Sequence, residues 1–91
     1  MTMTNVNVQA VEIAPLGGAT NDGWRIGYIA SGAKAAQNDT WTVANASSIK
    51  SAFCTLDATG GVETATVATN VITLTSATAT ACSGLVVYKV K

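Results

Sequence analysis

Val, Ile and Thr alternate with small or polar residues over most of this chain, and apolar residues at helical spacing are hard to find. Period-two alternation marks a strand with one buried face, because successive side chains point to opposite sides of a sheet. The C-terminal half reads most clearly. Residues 49–56 predict a strand, Asp57-Ala58-Thr59-Gly60-Gly61 a turn whose glycines accept positive φ, and residues 62–68 a returning strand. A tight reversal at Thr69-Asn70, where Asn tolerates the left-handed conformation, leads into 71–75, so these strands form an antiparallel meander. After a loop of small residues, 85–90 closes the domain as a last strand.

The N-terminal half carries the same pattern less regularly. Val6, Val8 and Ala10 alternate, and a phase shift near Val11 lets Ile13 follow inward, as a bulge would allow. Pro15-Leu16-Gly17-Gly18 ends that strand, and the polar turn Thr20-Asn21-Asp22-Gly23 leads into 24–30, where Trp24, Ile26 and Tyr28 share one face. Residues 31–38, with Gly32 and Lys34, form the longest loop; 40–43 make a short strand and 44–48 a polar connection. Six to seven short strands separated by turn signals predict an all-β fold, a small antiparallel β-sandwich or barrel, as a single domain over 1–91. The uncharged residues 1–7 predict an N-terminal arm. Thr2, Met3, Thr4, Asn5 and Val6 would be ordered on a neighbour by adding a strand to an exposed sheet edge; an ordinary loose terminus is the alternative.

Composition turns this fold toward assembly. Charged residues are 11% of the chain against roughly 25% for ordinary soluble domains, and the net charge is zero, which removes the self-repulsion that keeps proteins apart. At 91 residues the core is thin, so partner subunits are an expected source of stability. The basic residues are scattered singly and cannot neutralise a run of phosphates, which argues against nucleic acid. No apolar run approaches a membrane span, and the start lacks the features of a secretory signal, so synthesis and assembly in a cytoplasm are expected.

Candidate chemistry is sparse. Without histidine the commonest general base is missing, and no cofactor motif or metal-ligand set is present, so no enzymatic activity, cofactor or metal is expected. Asp57 and Glu63 are the only carboxylates that a single turn brings near each other; turn chemistry for Asp57 and a solvated strand edge for Glu63 outweigh a glycosidase-like pair. Asn21-Asp22-Gly23, and Asp57 with Gly60, fall short of a calcium loop. The sequon matches at Asn38 and Asn45 are read as chance. Cys54 and Cys82 have two readings: a bond closing a loop of roughly 29 residues, worth about 3 to 4 kcal/mol, or two buried free thiols acting as small apolar residues. Trp24, Trp41, Tyr28, Phe53 and Tyr88 are expected mostly in or beside the core, with Trp24 and Trp41 as candidate interface aromatics.

Thr69-Asn70-Val71-Ile72-Thr73-Leu74-Thr75-Ser76 followed by Gly84-Leu85-Val86-Val87-Tyr88 resembles the ending of many small tailed-phage virion proteins, and Asp39-Thr40-Trp41-Thr42-Val43 resembles the strand that often precedes it. The resemblance covers about half the chain and transfers no individual binding residue. It implies a capsid decoration, or cement, protein: a β-rich virion subunit, made in the host cytoplasm, that binds the outside of a bacteriophage head in many copies and braces the major capsid protein. Two other readings compete. One is a self-assembling filament or tail-tube subunit whose partners are identical copies; the other is a carbohydrate- or peptide-binding β-module using Trp24 or Trp41 as a platform.

Overall fold

The computed structural model describes residues 5–15 and 23–91. Among them are nine strands and no helix: β1 (Asn5–Val8), β2 (Val11–Pro15), β3 (Trp24–Gly32), β4 (Asp39–Val43), β5 (Ala46–Leu56), β6 (Val62–Glu63), β7 (Ala65–Ala68), β8 (Val71–Leu74) and β9 (Cys82–Val90). They form a four-stranded sheet in the order β1-β4-β8-β7 and a five-stranded sheet in the order β2-β3-β9-β5-β6. The facing sides of the two sheets enclose a single core, so of the two all-β architectures expected from the alternation, sandwich and barrel, the chain adopts the sandwich.

Parity along each strand decides which residues enter that core. In β4, Asp39, Trp41 and Val43 point inward, and in β8 Ile72 and Leu74 do the same. The opposite sheet contributes Ile29, Ile49, Cys54, Cys82, Val86 and Tyr88. Trp41 is the largest fully buried side chain, and its indole N–H donates to the Ala33 carbonyl at 3.1 Å, so the ring's one polar group is satisfied inside the core.

Several details differ from the sequence reading. The meander is divided between the sheets: β5 pairs with β6, the chain crosses at Thr64, and β7 pairs with β8 in the other sheet. The corner is held by the Thr64 carbonyl, which accepts from the Thr75 amide at 2.9 Å, and by the two threonine hydroxyls at 2.6 Å. At the β7–β8 turn the residue with positive φ is Thr69 (φ 54), not Asn70. The strand β1 pairs with β4 in parallel, because the chain passes through β2 and β3 of the other sheet before it returns beside β1. The bulge near Val11 is present as a register shift between Glu12 and Ala14, yet Val11 and Ile13 both face solvent.

Candidate functional site

The most buried polar chemistry is an ion pair joining a loop to the five-stranded sheet. Asp39 organises that loop: its Oδ2 accepts the amides of Ala35 (2.6 Å) and Ala36 (3.0 Å), a local wrap that turns Lys34 inward. Lys34 Nζ then donates to Glu63 Oε1 at 2.6 Å, to Ser76 Oγ at 2.9 Å and to the carbonyls of Ser76 (2.7 Å) and Thr78 (2.6 Å). Glu63 also accepts the Ser76 amide at 2.9 Å and the Ser76 hydroxyl at 2.7 Å. Both charged side chains are fully enclosed. Burial pushes the Glu63 carboxyl up, but the hydrogen bonds from Lys34 and Ser76 and the Lys34 charge outweigh it and hold the group below its ordinary value. A carboxylate kept ionised and an ammonium surrounded by four acceptors clamp the Lys34 loop and the Ser76–Thr78 segment to β6. Glu63 is therefore interior, not a solvated strand edge. Asp57 lies apart from it, accepting the hydroxyls of Ser31 (2.9 Å) and Ser83 on the outer side of the sheet, so the two carboxylates form no acid–base pair.

Cys54 and Cys82 are free and buried. On the inner side of the β5·β9 ladder Cys54 stands opposite Gly84 and Cys82 opposite Leu56, a diagonal relation rather than a facing one. Diagonal neighbours lie about 7–8 Å apart, beyond the roughly 4.4–6.8 Å Cα separation that a disulfide spans. Burial is the main force pushing both thiols up to about 11, helped at Cys54 by Cys82 and Glu63 and at Cys82 by Glu63, there against the opposing charge of Lys34. The folded protein is expected to leave both cysteines unmodified by a thiol reagent at pH 8, with two equivalents reacting after denaturation. Fast reaction of either in the native state would contradict this placement.

The candidate interface aromatics separate. Trp41 is wholly enclosed and out of reach of a partner. Trp24 is half-buried on the outer side of the five-stranded sheet, with the Lys50 ammonium 4.8 Å from its ring centroid. Of the arm residues, Thr2, Met3 and Thr4 lie outside the described residues; Asn5 and Val6 belong to β1 and pair within the chain to Thr40 and Trp41. The Asn21-Asp22 portion of the polar turn also lies outside them. Among the described residues no group of three His, Cys, Asp or Glu side chains could hold a metal ion.

Two surfaces remain that no described strand covers. The first is the pair of edges of the four-stranded sheet. Proteins blunt sheet edges with charge, proline, bulges or very short strands, and the five-stranded sheet does so: β2 carries Glu12, Pro15 and a bulge, and β6 is two residues long. Edge strands β1 (Asn-Val-Asn-Val) and β7 (Ala-Thr-Val-Ala) have none of these guards. The second is the outer side of the five-stranded sheet, where Val11 pairs with Tyr28, Tyr28 with Leu85 and Leu85 with Phe53. These four side chains form one exposed apolar row across four strands, 64%, 39%, 45% and 58% exposed in that order. The sequence reading placed Trp24, Ile26 and Tyr28 together on a face correctly but gave most aromatics to the core. The signal it missed is that residues 84–88 of β9 are apolar at both parities, while in β3 the more apolar parity, Trp24, Ile26 and Tyr28, is the one that faces outward. Compared with family models, curated proteins and solved structures, the chain matches none.

Proposed function

We propose that this chain is a non-enzymatic structural subunit of a virion, a decoration protein that binds the outside of a phage head and stabilises it. The observation that carries the assembly role is the unguarded edge at β1. Its outer backbone groups are free of any described strand, and Asn5 and Asn7 face solvent with no charge to repel an incoming strand. A strand of the shell protein would extend this sheet by main-chain hydrogen bonds, which need no matching side chains. Repetition at every lattice point makes a modest contact sufficient, because a subunit bridging two shell proteins gains from effective concentration. The virion setting rests on the resemblance of residues 39–43, 69–76 and 84–88 to small tailed-phage virion proteins.

The second reading, a filament or tail-tube subunit, draws on the same edges. A β1 edge meeting the β7 edge of the next copy is a heterologous contact that propagates without closing.

Asn7→Lys with Gln9→Lys guards the β1 edge at two exposed positions without touching the core. The variant is expected to keep the wild-type melting temperature and lose at least ten-fold in co-sedimentation with expanded heads of the encoding phage. Equal binding by wild type and variant would remove the edge from the account; polymer from the purified wild-type chain alone would favour the filament.

A further inference from the structure

Among the described residues, the apolar outer side of the five-stranded sheet has charge only at its two ends, and the ends are opposite in sign. Lys89 pairs across the ladder with Trp24 at one end, and Lys50 lies over the same indole. Asp57 sits at the other end, hydrogen-bonded to the outward Ser83 hydroxyl. Glu12 and Arg25 lie at the opposite parity and bond each other, so they do not disturb this polarity.

We infer that this face pairs with the same face of a second copy about a two-fold axis lying in the interface, perpendicular to β9. Outward residues of β9 run Ser83, Leu85, Val87, Lys89, and the midpoint of this run is Val86. A two-fold axis there places Leu85 of one copy over Val87 of the other and brings each Asp57 end against the partner's Lys50 and Lys89. An axis parallel to the strands would instead oppose lysine to lysine and Asp57 to Asp57, and is disfavoured by like charge. Two sheet faces packing in this aligned manner is ordinary sandwich geometry, about 10 Å apart and near −30°. Strand spacing of about 4.8 Å and a rise of about 3.4 Å per residue give the band a flat area of roughly 300–400 Å². That is about half the ~800 Å² per partner of a standard interface, so the dimer is weak and depends on concentration.

The dimer is independent of the β1 edge, which belongs to the other sheet and stays open in it. Its test is sedimentation velocity across a wide concentration range, using two charge-reversed chains: Asp57→Lys, whose two ends are basic at the described residues, and Lys50→Glu with Lys89→Glu, whose two ends are acidic there. The wild type is expected to double its mass with rising concentration, each variant alone to remain monomeric under the same conditions, and an equimolar mixture of the two variants to regain the doubled mass. Recovery in the mixture separates a charge effect from misfolding, because unfolded chains would not restore it. A wild type that stays monomeric, variants that dimerise alone, a mixture that does not recover, or growth beyond a dimer would each overturn the two-fold pairing. Head co-sedimentation of a monomeric variant then reads the decoration role separately: binding retained with the dimer absent leaves that role standing.

Discussion

Lys34→Met is expected to destabilise the fold by about 3–5 kcal/mol, the usual cost of leaving one partner of a buried ion pair without the other. For a chain of this size, whose whole stability is on the order of 5–14 kcal/mol, such a variant is only marginally folded. The loss has two parts, because the ammonium bonds not only Glu63 but also the carbonyls of Ser76 and Thr78, which lose their donor inside the protein. Lys34→Met with Glu63→Leu therefore recovers only part of the loss: it removes the stranded charge but leaves the Ser76 amide, which Glu63 accepts, without a partner. Urea unfolding of the two single variants and the double variant yields the coupling between these positions. Acid should act through the same pair. The Glu63 carboxyl is held below its ordinary value of 4.5 in the fold, so its stabilising contribution is complete above that value and is lost as the pH falls through the folded-state value. Wild type should lose stability on that acid limb, and Glu63→Gln should show a flatter one. Wild-type stability after Lys34→Met would mean that the pair is not buried as described.

Gly32→Ala is expected to cost about 1–3 kcal/mol, by overpacking rather than by backbone strain. A Cβ at this position would collide with Cε2 and Cζ2 of the Trp41 ring and lie 2.8 Å from its Nε1, so the indole must move and give up its bond to Ala33. Trp41→Ala removes the largest core side chain and should cost about 3–5 kcal/mol. The informative comparison is Gly32→Ala in a Trp41→Phe background, where a smaller ring leaves room for the methyl and the added cost should shrink. Equal costs in both backgrounds would show that the indole does not press on Gly32.

Strand positions were legible in this sequence because alternation is a local signal, and the strands at 24–32, 46–56 and 71–74 fall close to where it placed them. Which side of a strand faces the core is legible only when one parity is polar. In β9 the run Gly84-Leu85-Val86-Val87-Tyr88 is apolar at both, so Leu85 and Val87 could not be told from Val86 and Tyr88. The crossing at Thr64 was hidden for a related reason, since 62–68 keeps one parity while changing sheets. The Lys34–Glu63 clamp joins residues 29 positions apart through a loop; its local trace was Glu63 standing at the same parity as Ala65 and Val67. The unguarded β1 edge was legible as an uncharged N-terminal segment, though not as a strand already paired to β4.

The central claim is that this chain is a building block of a phage particle. Peptide mass spectrometry of gradient-purified heads from the encoding phage tests it most directly. The account predicts the chain in the heads at a copy number comparable to that of the major capsid protein, and its loss from them when the β1 edge carries lysines. Purified, infectious particles without the chain would contradict it.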